Sequence, residues 1–239
     1  MKNLIVISPK IAEESAQALA AALGADYINP YETKTRNFSG YKYMFNYGFS
    51  RPTSGTKRKF NKAKEVQLSM DKELCFGAVK ECVPTVKITK DKQEAYRWIK
   101  QGRVVVARIN TTGSNGEGIV YCSTKKQLDQ VDAPIYTRYI EHTCELRINI
   151  WRGQIISMYD KKVVNGFFKF KLLQGSFNTQ PQTVNMAKKL YEKIGLDFMG
   201  VDVLLTSKGN LFFLEANSAP VLFPYTIKKL TNLIKKELV

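Results

Sequence analysis

The sequence predicts an α+β protein made of several small lobes and built on antiparallel hairpins. Three observations carry that expectation. Short apolar runs come in pairs across tight turns, at residues 145–151 and 154–159 around Arg152-Gly153, and again at 201–206 and 211–217. Helical periodicity separates these pairs, over residues 64–79, 91–100, 183–194 and the C-terminal segment. The single βαβ-like stretch, at the start, covers only about sixty residues, too few for a doubly wound sheet of alternating strands and helices.

Taken in order, residues 4–8 form an apolar run expected as a buried strand, and 11–23 a helix closed by Gly24. A short strand at Tyr27-Ile28 stops at Asn29-Pro30. Residues 31–64 are polar, aromatic and rich in turn residues, and NYGFSRP and SGT mark them as loop. After the helix at 64–79, VPTVKIT reads as a strand opened by Pro84. In the 91–100 helix, Ala95, Trp98 and Ile99 share one face. RVVVARIN at 103–110 is a strand, TTGSNGEG a glycine-rich turn, and IVYC the returning strand; residues 135–140 make another. No internal repeat or low-complexity tract interrupts this order.

A chain of 239 residues can bury a substantial core, and 44% hydrophobic with 24% charged residues is ordinary for a globular protein. No apolar run approaches the ~20 residues that span a bilayer. The opening MKNLIVISPK turns polar too soon for a signal peptide, so a cytoplasmic location is expected. Four cysteines without a CxxC pair and a single histidine, His142, argue against a disulfide framework and a zinc site. The net charge of +16, from 37 Lys and Arg against 21 Asp and Glu, points to an anionic partner: a nucleotide, a nucleic acid or an acidic peptide. The densest basic run is Lys57-Arg58-Lys59 with Lys62 and Lys64, expected on a mobile loop. Lys228-Lys229 and Lys235-Lys236 fall at helical spacing and read as the wet face of a terminal helix.

The chemistry concentrates in the last hairpin. Centring its turn between Lys208 and Gly209 puts Leu205 opposite Phe212, Val203 opposite Leu214 and Asp202 opposite Glu215. Directly opposed side chains lie on one face with Cβ atoms ~4.5–5.5 Å apart, and Asn217, two residues beyond Glu215, shares that face. Two carboxylates facing each other among apolar neighbours repel unless a cation lies between them. A hard divalent ion with oxygen ligands fits, and Mg²⁺ characteristically takes one or two carboxylates together with substrate phosphates. A solvent-facing acidic pair is the ordinary alternative, and the apolar flanks on both strands argue against it.

The segment MGVDVLLTSKGNLFFLEANSAP, with LEANSAP its most specific phrase, resembles the metal-binding hairpin of the ATP-grasp superfamily. It is most similar to the RimK-like ligases that add glutamate to ribosomal-protein tails, and to the D-alanine–D-alanine ligases. The resemblance covers roughly residues 71–220. It implies an ATP-grasp fold: two α+β lobes clamping ATP, behind a short N-terminal βαβ-like lobe. The divisions it suggests are 1–63 for that lobe, 64–136 for a small lobe with a glycine-rich flap, and 137–239 for a large lobe with the metal site. Asp202, Glu215 and Asn217 would hold two Mg²⁺ ions bridging the ATP phosphates, with Mn²⁺ able to substitute.

Other parts follow from the same resemblance. Lys72 matches a first nucleotide-contacting lysine, although alone it reads as a lysine on a wet helix face. Where the family has a second lysine this chain has Arg108, which offers a bidentate fork to phosphate. The glycine-rich turn has strands on both sides, so it is neither a P-loop nor a dinucleotide-binding turn, both of which open a helix. A bare glycine loop equally suits an ordinary hairpin; the resemblance makes it a flap whose amides, at Ser114, Asn115 and Gly116, close over phosphates. Tyr139 and Ile140 would meet the adenine edge, Glu145 or its rival Glu141 the ribose, and Arg147 the phosphate or the acyl intermediate. Lys161 or Lys162 would lie near the transferred phosphate. His142 and Cys144 read as incidental. The D-alanine ligases carry an arginine where this chain has Gly200, whereas the glutamate-adding ligases share the GVD form.

The implied activity is an ATP-dependent ligase joining a carboxylate to an amine through an acyl phosphate, with Arg108, Arg147 and the flap neutralising charge. Its expected substrates are ATP, a carboxylate and an amine, at least one of them anionic: a peptide, a protein tail or another anionic macromolecule. Two other readings compete: an ATP-grasp kinase acting on a hydroxyl, and a basic nucleic-acid-binding protein that uses ATP as a switch, whose binding would weaken steeply with salt.

Overall fold

A computed structural model of the chain describes residues 2–110, 118–164, 167–173 and 180–238, which form three sheets. The first is parallel: β1 (Lys2–Ile7), β2 (Asp26–Ile28), β3 (Tyr41–Asn46) and β4 (Arg58–Phe60), in the order β2-β1-β3-β4. Helix α1 (Glu13–Leu23) joins β1 to β2 and ends at Gly24, whose φ of 63° supplies the left-handed cap. The loop expected over 31–64 therefore contains two strands. Their aromatic content belongs to an interior sheet: Met44, Phe45 and Phe60 are fully buried, and Phe45 stacks on Trp151 with centroids 6.4 Å apart. The basic run at Lys57-Arg58-Lys59 is likewise no loose loop. Arg58 and Lys59 pair with β3, Arg58 is tied to Glu237 at 2.6 Å, and Lys59 donates to the Thr53 carbonyl.

The second sheet is antiparallel: β5 (Ile88–Thr89), β6 (Val105–Arg108), β7 (Ile119–Cys122) and β8 (Ile135–Arg138), in the order β5-β8-β6-β7. Helix α4 (Lys92–Lys100) covers it with Ala95, Trp98 and the partly buried Ile99, the three expected on one face, against Val105, Ala107 and Tyr136. Helix α5 (Lys125–Asp129), absent from the sequence reading, starts at a Thr124–Gln127 capping box. Only Ile88–Thr89 of VPTVKIT joins this sheet; Pro84 instead accepts a hydrogen bond from the Phe213 amide at 2.8 Å.

The third sheet runs β11-β10-β9-β12-β13, with β9 (Cys144–Trp151), β10 (Gln154–Val164), β11 (Phe167–Leu172), β12 (Phe198–Leu205) and β13 (Leu211–Asn217), all antiparallel. The β9–β10 hairpin turns at Arg152-Gly153 as expected, both at positive φ (45° and 80°) as a two-residue hairpin requires. Helices α2 (Ala63–Met70), α3 (Lys72–Val79) and α6 (Pro181–Ile194) cover one face, packing Val66, Phe76, Val79 and Leu190 on Ile148, Ile150, Val201 and Phe213. The helical stretch from 64 to 79 breaks at Asp71, whose carboxylate accepts from the amides of Glu73 and Leu74 and so starts α3. The opposite face meets the parallel sheet and α7 (Pro224–Glu237) through Trp151, Phe198, Phe45, Leu230 and Ile234. The rest of that face carries the polar side chains of Arg147, Asn149, Ser157, Lys161 and Asp202, with Phe168 and Phe170 beside them.

Candidate active site

On the polar face, β12 and β13 bring Asp202 directly opposite Glu215 and Gly200 opposite Asn217. The expected facing pair is present, yet the register nearer the turn differs: Val203 faces Phe213 and Leu205 faces Leu211. A bulge leaves Leu214 unopposed and restores the acidic pair. The Asn217 amide donates to Glu215 Oε1 at 3.2 Å, so all three oxygen-bearing side chains share one face.

The neighbouring strands complete the cluster. β9 lies beside β12 with Arg147 opposite Asp202, and β10 lies beside β9 with Lys161 opposite Glu145. Asp202 is fully buried. Arg147 grips it with a fork, Nε to Oδ1 and Nη2 to Oδ2, the latter at 3.0 Å. Lys161 Nζ donates to Asp202 Oδ2 at 2.8 Å and also to Glu145 Oε1. Burial opposes the charge on Asp202, but Arg147 and then Lys161 overcome it and hold its carboxyl well below the usual carboxylate range. Glu145 moves the other way: burial pushes its pKa up against the pull of Lys161, and the charges of Asp202 and Glu215 add to the rise.

Two cations approach from outside this sheet. Lys72, the first residue of α3, lies 3.6 Å from Glu215 Oε2. Burial lowers its pKa, with Glu215 opposing and Arg108 adding to the shift. Arg108, at the end of β6 in the small sheet, is 5% exposed, and its Nε has no hydrogen-bond partner among the described residues. Four cations, Lys72, Arg108, Arg147 and Lys161, thus surround three carboxylates, Glu145, Asp202 and Glu215. The excess of positive charge and the orphaned Arg108 donor suit a polyphosphate. The Asp202, Glu215 and Asn217 oxygens suit the hard divalent ion that accompanies one. The residues present fit a magnesium nucleotide.

The RimK-like ATP-grasp domain matches residues 61–238. The chain belongs to that family. Solved structures of the same fold include the ATP-grasp ligase PsnB complexed with precursor peptide PsnA2 and AMPPNP (TM-score 0.72, 11% identity, 100% of this chain and 97% of that one). The macrocyclase MdnC bound with precursor peptide MdnA from Microcystis aeruginosa MRC gives a TM-score of 0.69 at 12% identity, over 98% and 99% of the two chains. D-alanine–D-alanine ligase from Bacillus anthracis complexed with ATP gives 0.69 at 13%, over 99% of each. No curated protein matches the chain in sequence.

In this RimK-like ATP-grasp chain the remaining expected residues distribute as follows. Tyr139 and Ile140 lie between β8 and β9, where Tyr139 donates its amide to Val104 and packs edge-on to Tyr121. The Ile140 carbonyl oxygen lies 2.8 Å from His142 Nδ1. Glu141 is exposed, whereas Glu145 is committed to Lys161. Lys162 points to the opposite face from Lys161, mostly exposed and 3.2 Å from Asp160. Ser114, Asn115 and Gly116 lie outside the described residues. A cavity of about 560 Å³ lined by Thr143, Gln182, Leu205 and the 206–210 turn lies at the far end of the hairpin and holds none of the cluster. Sequence reasoning missed one relation that matters, the double hold of Arg147 and Lys161 on Asp202.

Proposed function

We propose that the chain is an ATP-dependent carboxylate–amine ligase that makes an amide through an acyl phosphate, with a peptide or protein tail as one substrate. The observation that carries the chemistry is the joined cluster in which Asp202, Glu215 and Asn217 share a face with Arg147 and Lys161, and Lys72 and Arg108 close it from two other elements. When bound, the magnesium nucleotide supplies the phosphoryl group that activates the carboxylate, and the ions offset the negative charge that gathers on the phosphates.

Asp202, Glu215 and Asn217 would hold the metal, two ions in this reading, with Mn²⁺ able to replace Mg²⁺. Lys72 and Arg108 would bind phosphate, Arg108 through the Nε that has no partner among the described residues. Arg147 would pair with the oxygen of the acyl intermediate, since its guanidinium is fixed by Asp202 and needs little reorganisation as charge develops. Tyr139 and Ile140 would meet the adenine, and the exposed Glu141 suits the ribose better than Glu145. Lys161 is better placed than Lys162 to reach the transferred phosphate. Ser114, Asn115 and Gly116 keep their expected role as flap. The lobes in this reading are the parallel sheet (1–63), the small antiparallel sheet and the large sheet, with α2 and α3 riding on the large one. No protein nucleophile is required.

A peptide is favoured as substrate because two fold relatives, PsnB and MdnC, are recorded with precursor peptides; the charge of +16 suits an acidic one better than a neutral one. A cytoplasmic site of action is part of this reading, supported by the need for ATP and by the four cysteines, none of them in a disulfide among the described residues. No described helix is long and apolar enough to cross a membrane. The test is ADP release against a panel of amino acids and acidic peptides with mass spectrometry of the products. An amide product supports the ligase; a phosphorylated product in its place overturns it.

A further inference from the structure

Both oxygens of Asp202 are engaged by three N–H donors from Arg147 and Lys161. Lys161 is the bridging ion. Its ammonium touches Asp202 and Glu145 at once, its side chain is only 9% exposed, and the Phe168 ring lies 4.5 Å from it, centroid to nitrogen. It therefore does for these two carboxylates what a cation between them would do, and it does so from within the chain. A free divalent ion arriving at this site meets an excess of positive charge and an Asp202 with its donors in place. A nucleotide reverses both conditions, since its phosphates bring several negative charges and competing acceptors for an ammonium.

We propose that Lys161 holds the metal's place on Asp202 until the nucleotide's phosphates draw it off, so that metal and nucleotide load together. The inference rests on the reading of Asp202, Glu215 and Asn217 as metal ligands. It makes Lys161 a positioning residue that sets the order of loading, in addition to any contact it makes with phosphate. Lysine suits the part because its flexible stem lets the ammonium move between partners, whereas the fork of Arg147 is fixed in one geometry.

The test is Mn²⁺ binding to the full chain, followed by loss of the free-ion paramagnetic resonance signal, with and without ADP. Wild-type protein is expected to bind Mn²⁺ weakly alone and tightly with ADP, beyond what ADP chelates by itself. Lys161→Met removes the internal cation at similar length and is expected to tighten Mn²⁺ binding without nucleotide by roughly tenfold or more. Unchanged metal-alone affinity in Lys161→Met overturns the inference, as does wild-type protein that binds Mn²⁺ equally well with and without ADP; in both cases the metal-site reading stands. If wild type binds no Mn²⁺ even with ADP, the metal-site reading itself fails and takes this inference with it. Should Lys161→Met not fold, Lys161→Gln carries the same comparison.

Discussion

At Gly200 the local packing decides what position the site can give to an arginine. A Cβ there would come within 2.5 Å of Pro220 Cβ and 3.1 Å of Arg147 Cδ, so the space beside Asn217 is already filled from the neighbouring strand and the following loop. Gly200→Ala is expected to cost about 1–3 kcal/mol by overpacking and to push Arg147 off its fork. The expected signature is a lower melting temperature together with reduced kcat in ADP release; a variant with unchanged kcat would show that Arg147 does not need its present position. Asp202 gives a second test, through pH. Its carboxyl is held below the ordinary value of about 3.9, so between those limits the unfolded chain binds more protons than the folded one. Stability from this group is complete above that interval and is lost as pH falls through it. Asp202→Asn takes the anion from the buried Arg147, leaves Lys161 with Glu145 alone, and is expected to cost on the order of 3–5 kcal/mol at neutral pH. In denaturant unfolding, that deficit should shrink as pH drops from about 5 toward 2. A deficit that is flat across the series would mean that the ion pairs on Asp202 contribute nothing to folding.

At the scale of elements, one hydroxyl of α7 joins the polar side chains of the sheet beneath it. Thr226 is fully buried, and its Oγ1 lies 2.8 Å from both Ser157 Oγ and Tyr159 Oη. Ser157 in turn accepts from the Asn149 amide at 2.9 Å. Thr226→Val keeps the shape and removes the junction, which should cost about 1–3 kcal/mol because buried polar partners are left unpaired. Urea unfolding monitored by circular dichroism reads the loss, and a change near zero would show that the two hydroxyls re-pair. None of this junction was legible in the sequence, because it joins strands and a helix about seventy residues apart (|i−j| 69 and 67). What was legible is what local pattern encodes. The hairpin at Arg152-Gly153 and the facing of Asp202 and Glu215 could be read from periodicity and turn residues. The pairs nearer the last turn could not, since the bulge at Leu214 shifts them by one residue and leaves no mark in hydrophobic pattern. β3 does not read as a strand because tyrosine, asparagine and lysine hide one whose burial comes from Trp151 and Phe198, far along the chain. The family resemblance names Arg147, but its partner is not legible, because the pairing of β9 with β12 is nonlocal.

For the whole molecule, the distribution of apolar contacts sets which part can move. The large sheet has a core on each side, one under α2, α3 and α6 and one shared with the parallel sheet and α7, so β9 and β12 are held from both faces. The small sheet has a separate core, centred on Trp98, Val105, Leu128 and Tyr136. Its chain continues into the large sheet through residues 139–143, where Thr143 donates its amide to Leu205 at 2.8 Å. Segments with their own small core open at lower free energy than the global unit, and this one carries Arg108 to the cluster on the other sheet. Amides of Val105–Arg108 and Ile119–Cys122 are therefore expected to exchange with solvent deuterium faster than those of Ile148, Ile150, Val201 and Val203. ADP with Mg²⁺ should slow the first group severalfold and leave the second nearly unchanged, because the nucleotide adds a bridge between sheets where the protein supplies little apolar contact. Equal protection in both groups, or slowing spread evenly over the chain, would mean that the two sheets already open and close as one body and that Arg108 does not travel to reach its phosphate.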